Sequence, residues 1–282
     1  TENENIRTAN NEEALAKHLA KFALAVNVRC ILVVLELESV SMIKPNIILS
    51  SFARSGASAI DLALRPILES IGYYVTPFGI EGSPKIVDDI DGVHDPFFHF
   101  THAPPSLFQP LLDKDNYRFV YQYRDPRDSV SSWAYNEISE GNIEGDIDDV
   151  RTKIIMSRHS LTEHVTRARE WFALGARVHR LTFEEMKADK AAVIAKILDF
   201  ATILPLIDPK VIEESLAEFS DQRYTDSLKV KEARLFEQGL VRAKRGKSST
   251  WVDTFTPADK MLFKKIAGDF LIELGYEDDF NW

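Results

Sequence analysis

Cysteine is nearly absent from this chain. Its 282 residues hold one, Cys30, so no internal disulfide can form, and a reducing, cytoplasmic setting is expected. Glycine and proline number 12 each, too few for a collagen-like or low-complexity chain. Positive charge is in deficit: 34 Lys and Arg against 44 Asp and Glu give a net charge of −10. An extended basic footprint for nucleic acid is therefore not expected, and any anionic ligand has to be met by cations gathered locally. No apolar run reaches the ~20 residues needed to span a membrane. The longest, Phe22 to Leu35, is broken by Asn27 and Arg29. The opening residues Thr1-Glu2-Asn3-Glu4 lack the basic start of a secretory signal. HExxH, CxxC and clustered His/Cys spacings are missing too, so no metal is expected.

What is present is the make-up of a soluble globular protein, 45% apolar and 28% charged. Leu15, Leu19, Phe22 and Val26 share one helical face, which predicts an amphipathic helix from Asn11 to about Val26. Val28 to Leu37 reads as a strand or as more of that helix. From Asn46 a repeating pattern begins, in which short apolar runs end in polar loops and helical patterns follow. The runs are Asn46–Phe52, Tyr73–Phe78, Phe97–Thr101, Arg118–Arg124 and Arg177–Phe183. They are rich in Ile, Val, Phe and Tyr and mostly apolar on both faces, as in a parallel sheet covered by helices on each side. Helices are expected at Ser58–Ile71, Pro104–Leu112, Pro126–Tyr135, Val150–Leu174, Ala191–Ala201 and Pro257–Leu274. The expectation is one doubly wound α/β domain over residues 45–282, with a helical extension, residues 1–44, packed on it or serving as a homodimer interface. Ligands of such sheets bind where strands end and helices begin.

Four constellations lie at such places. Ser50-Ser51-Phe52-Ala53-Arg54-Ser55-Gly56-Ala57-Ser58 follows the first strand and opens a helix. Gly56 permits close backbone approach, and the free N–H groups of a helix start favour an anion. The G-x-x-x-x-G-K-[ST] spacing of a Walker loop is absent. Arg124-Asp125-Pro126-Arg127-Asp128, with Ser132 two turns on, reads as a well-capped helix whose arginines are solvated or hold an anion. His102, in Thr101-His102-Ala103-Pro104, stands at the ligand-binding edge. Lys244-Arg245-Gly246-Lys247 is a dense cation cluster in an acidic chain, either a solvated loop or a cover for an anion.

In their order and spacing these pieces resemble the sulfotransferases that use 3′-phosphoadenosine 5′-phosphosulfate (PAPS). The similarity runs from about Asn46 to Tyr276. The family's P-[KR]-S-G-T-T-W loop appears as Ala53-Arg54-Ser55-Gly56-Ala57-Ser58-Ala59. Its Arg with a Ser eight residues later appears as Arg124 and Ser132, and its K-T-H-x-P as Phe100-Thr101-His102-Ala103-Pro104. Its Y-E-D-L/M-K appears as Phe183-Glu184-Glu185-Met186-Lys187. The late R-K-G-x-x-G-D-W loop appears as Lys244-Arg245-Gly246 and Trp251, and a terminal L-G-Y-E as Leu274-Gly275-Tyr276-Glu277. Ala53, Ala59, Phe183, Phe100, Ser249 and Thr250 depart from the family pattern. These departures bear on adenine stacking and on transition-state charge, and they leave the phosphate-binding cations in place.

The resemblance implies a P-loop-like fold and a mechanism. Arg124, Ser132 and the loop Lys244, Arg245, Gly246 would hold the 3′-phosphate. Arg54 and the backbone of Ser55, Gly56, Ala57 and Ser58 would hold the 5′-phosphosulfate, and Phe183 would border the nucleotide. Arg54 would stabilise the departing oxygen while His102 accepts the acceptor's proton. Asp91 and His94 are the nearest rivals to His102. The product would be 3′-phosphoadenosine 5′-phosphate (PAP). The acceptor would be a small molecule with a hydroxyl or amine. Two acidic segments, Glu81–Asp95 and Glu137–Asp149, read as solvated loops or as a lid drawing a cationic acceptor. A nucleotide kinase of P-loop-like architecture and a non-catalytic PAPS-binding module are the alternatives.

Overall fold

The computed structural model describes residues 44–77, 96–219, 235 and 248–282. The predicted helix Asn11–Val26, the segment Val28–Leu37, the acidic segment Glu81–Asp95 with Asp91 and His94, and the cluster Lys244–Lys247 lie outside the described residues. Among the described residues no helix is long and apolar enough to cross a membrane, and no three His, Cys, Asp or Glu side chains are grouped to hold a metal ion.

Five strands form one sheet: β1 (Asn46–Ser51), β2 (Tyr74–Val75), β3 (Phe97–Thr101), β4 (Tyr117–Tyr123) and β5 (Val178–Thr182). Their order is β2-β3-β1-β4-β5, and every pairing is parallel. The doubly apolar character of the strand sequences has a direct cause. Successive side chains of a strand point to opposite faces, and here both faces are covered. Ile47 and Leu49 of β1 enter one hydrophobic cluster and Ile48 enters the other. Val120 of β4 goes to the first, and Phe119 and Tyr121 to the second.

The cluster around Ile47 and Leu49 is closed by α1 (Ala57–Ser70), through Ile60, Leu64 and Ile67, and by the helix Lys190–Phe200, through Val193, Ile194 and Ile197. The opposite cluster is closed by α2 (Pro126–Glu140), α3 (Ile147–Met156), α4 (Glu163–Ala173) and the late helix Pro257–Glu273. Trp171 of α4 is fully buried there against Phe108, Phe119 and Tyr121.

Three expectations change. The predicted helix Val150–Leu174 is two helices, α3 and α4, separated by extended Ser157 and a π-type turn, Arg158–Thr162. Neither proline nor glycine marks that break. The two halves serve different partners: Arg151 and Thr152 of α3 both donate to Asp259 at 2.9 Å, whereas α4 binds the turn after β3. Pro104–Leu112 is a 3₁₀ segment, Pro105–Leu111; Pro110, which has no N–H to give, interrupts the α-helical ladder. The second strand shrinks to Tyr74–Val75.

Candidate active site

Parallel strands place all their C-terminal ends on one edge. Four of the expected pieces begin one residue beyond such an end: the loop 52–56 after β1, His102 after β3, Arg124 after β4 and Phe183 after β5. Because β1 lies between β3 and β4, the loop carrying Gly56 is flanked by His102 on one side and Arg124 on the other.

The loop itself is tightly made. Arg54 (φ 61°) and Gly56 (φ 87°) both adopt left-handed backbone. A Cβ on Gly56 would stand 2.9 Å from Phe183 Cδ2, so only glycine fits. No side chain caps the start of α1. The Ser55 amide is already engaged, donating to Phe52 O at 3.2 Å, which removes it from the set of amides expected to face an anion. Its hydroxyl is the better candidate. Ser55 is 1% exposed, and its Oγ is buried with no hydrogen-bond partner among the described residues. The loop is held to β4 by Gln122 Nε2, which donates to Ser55 O at 3.0 Å. Ala57 and Ser58 form the first turn of α1.

Phe183 joins the loop to Arg124. The same ring that crowds Gly56 lies 4.2 Å from the Arg124 guanidinium carbon. Arg124 also contacts Asp128 at 3.4 Å and is nearly buried. Ser132 lies further along α2 and is half-buried. Asp125 caps this helix by accepting from Arg127 N at 2.9 Å, with Pro126 in the first turn. Arg127 is structural. Its guanidinium is bound by Asp125 and Glu277 and lies 3.8 and 4.6 Å from the rings of Trp251 and Trp282.

His102 is held through Nδ1. Nδ1 lies 3.1 Å from the Ser51 carbonyl oxygen and 2.9 Å from Ser51 Oγ. A carbonyl oxygen only accepts, so Nδ1 carries a proton and donates it there. The His102 carbonyl accepts from Arg167 Nη1 at 2.9 Å, and the next carbonyl, that of Ala103, accepts from Trp171 Nε1 at 3.1 Å.

His164, Arg167 and Trp171 form one stripe of α4 facing this turn, and sequence reasoning missed all three. His164 packs against Phe52 and Trp133 and stands 6.4 Å, centroid to centroid, from His102. Burial, aided by His102 and Arg167, pushes its pKa down to about 3, so at neutral pH it is an uncharged imidazole that does not compete for a proton. A spacing search along 164, 167 and 171 was the available signal, but no motif drew attention to it.

The acidic stretch Glu137–Asp149 is partly accounted for by the fold. Glu137 accepts from Trp133 and Asn142, Asp146 caps α3, and Asp148 pairs with Arg151.

A family model described as a sulfotransferase domain matches residues 44–275, the span that includes every one of these strand ends. The chain belongs to the sulfotransferase family. Solved sulfotransferase-type structures share the fold. Retinol dehydratase, crystallised with androsterone and the inactive cofactor PAP, aligns with a TM-score of 0.56 at 19% identity over 80% of both chains. Mouse sulfotransferase SULT7A1 complexed with PAP aligns with a TM-score of 0.56 at 17% identity over 83% of this chain and 87% of that one. No curated protein matches the chain. As a sulfotransferase-family domain, this one keeps the strand-end loops with the replacements noted above. Phe183, in place of the family's Tyr, packs the Gly56 turn against Arg124.

Proposed function

We propose that this protein transfers a sulfuryl group from PAPS to a hydroxyl or amine of a small-molecule acceptor. The observation that carries the reading is the meeting of the Gly56 turn and Arg124 on one ring, Phe183, with His102 tethered to the residue just before that turn. The residues suit the donor. In this reading Arg124 and Ser132 bind its 3′-phosphate, and Ser55 Oγ, Arg54 and the start of α1 bind its 5′-phosphosulfate. The donor supplies an activated sulfur; PAP departs with the electron pair of the broken S–O bond. His102 accepts the acceptor's proton at Nε2 as the new bond to sulfur forms, because Nδ1 is committed to Ser51. Arg54 and the loop donors stabilise charge on the departing oxygen, which is greatest in the transition state. The neighbours' bound PAP, androsterone and retinol support a nucleotide donor and a compact organic acceptor. Glu137, Asp146 and Asp148, three of the six carboxylates in Glu137–Asp149, make contacts within the fold, which leaves them less available to a cationic acceptor. A cytoplasmic setting fits the single cysteine.

The test pairs calorimetry with turnover. Wild-type protein should bind PAP more tightly than ATP and sulfate a member of a panel of phenols, alcohols and amines supplied with PAPS. His102→Asn should keep PAP affinity within about twofold and lower kcat by roughly 10²–10⁴. Tighter ATP than PAP binding would establish a kinase-like protein instead. PAP binding without turnover, unaffected by His102→Asn, would establish a binding module.

A further inference from the structure

Asp128 presents a physical contradiction. It is the third residue of α2 and is 0% exposed, so it has lost all contact with water, which is unfavourable for a carboxylate without strong compensation. It also places negative charge beside Arg124, the arginine assigned to an anion. The helix does not need it as a cap, since Asp125 fills that place.

Its partners explain it. Oδ2 accepts from Ser249 N at 2.8 Å, and Oδ1 accepts from Thr250 Oγ1 at 2.8 Å and from Trp251 N at 3.0 Å. Arg124 Nη2 lies 3.4 Å from Oδ2. One carboxylate therefore ties the end of β4, the first turn of α2 and the segment 249–251 together. Charge-assisted hydrogen bonds of this kind are the strong ones. The Arg124 guanidinium has an aromatic ring 4.2 Å from its carbon and a carboxylate beside one of its nitrogens, contacts that restrict its orientation. The left-handed backbone of Ser249, φ 61°, lies inside the same bonded segment.

We infer that Asp128 is a positioning residue for binding of the nucleotide's 3′-phosphate: it orients Arg124 and anchors Ser249–Trp251 against the start of α2. The inference rests on the proposed function and assigns Asp128 no contact with the ligand. It makes a prediction whose sign is informative. Removing a negative charge beside an anion site strengthens anion binding if electrostatics alone matters. Loss of a positioning group weakens it.

The experiment measures PAP and adenosine 5′-phosphate binding by calorimetry in wild type, Asp128→Asn and Thr250→Val. The two nucleotides differ only in the 3′-phosphate. Asp128→Asn is expected to weaken PAP by about tenfold or more and to leave adenosine 5′-phosphate within about twofold. Tighter PAP binding, no change, or equal weakening of both nucleotides would overturn the inference; equal weakening is what a merely structural residue predicts. Thr250→Val keeps the carboxylate and removes one of its donors. It should weaken PAP selectively by about two- to fivefold, and it decides the matter if Asp128→Asn does not fold. A wild-type protein that binds neither nucleotide would sink the proposed function, and this inference with it.

Discussion

A single methyl group at Gly56 tests the centre of the site. At φ 87° an alanine has left-handed backbone, which costs about 1–2 kcal/mol. Its Cβ would lie 2.9 and 3.1 Å from Phe183 Cδ2 and Cε2, and 3.0 Å from Met186 Cε. The Met186 methyl swings aside easily. The Phe183 ring is less free, because it is buried and carries the Arg124 guanidinium. To recover ordinary carbon–carbon contact near 3.6 Å, the ring has to retreat by roughly 0.7 Å. Overpacking of this kind costs about 1–3 kcal/mol. Gly56→Ala should thus lose about 2–5 kcal/mol of stability, with Tm falling by about 2–4 °C per kcal/mol at this chain size. Arg124 moves with the ring, so PAP affinity should fall by about tenfold or more, equivalent to about 1.4 kcal/mol. Thermal melts and calorimetry on the same preparation read both quantities. A Tm shift below about 2 °C with unchanged PAP affinity would refute the idea that Phe183 couples the turn to Arg124.

Two buried histidines make stability depend on pH. Burial lowers the pKa of His99 to about 4 and that of His164 to about 3. Lowered folded-state values mean that the unfolded chain takes up protons first, so stability is full above the unfolded value near ~6.5 and is lost as pH falls towards the folded values. At pH 5 each should have given up about 2 kcal/mol; urea melts at pH 7 and pH 5 check this, and His164→Phe should flatten the profile. A profile already flat in the wild type contradicts the burial argument. Arg127→Ala leaves Asp125 buried without its partner and should cost about 3–5 kcal/mol, read as a lower Tm. If Arg127 instead held the ligand, the variant would melt normally and lose PAP binding.

Most strands were legible because they are short runs rich in Ile, Leu, Val, Phe and Tyr, and burial on both faces leaves a pattern in the run itself; β5, Val-His-Arg-Leu-Thr, carries the weakest such pattern. Four of the five strands start and end within one residue of expectation, and the helices after β1 and β4 were visible from their own turn chemistry. Gly56 and His102 stood out because they fall in turns after strand-like runs, Arg124 because it precedes a well-capped helix start, and Phe183 only through the family resemblance. The division of 150–174 at Ser157 was not legible, because no residue there forbids helix; the break is imposed by what the two halves bind. Asp128 was visible only as a helix-start residue. Its partners Ser249, Thr250 and Trp251 are more than 120 positions away, and no local pattern connects them. His164 drew no notice for a related reason, since its meaning lies in a neighbour, His102, on another element.

The order of amino acids alone determined that there would be a helix-covered parallel sheet and that polar, glycine-bearing or cationic turns would follow its strands, because both depend on residues adjacent along the chain. Tertiary structure alone decided that β1 inserts between β3 and β4, which sets His102 and Arg124 on either side of one turn, that Phe183 lies against both Gly56 and Arg124, and that His102 is held to Ser51 through Nδ1. Those outcomes depend on strand pairings and side-chain contacts between distant segments, whose energies exist only once the chain has closed on itself.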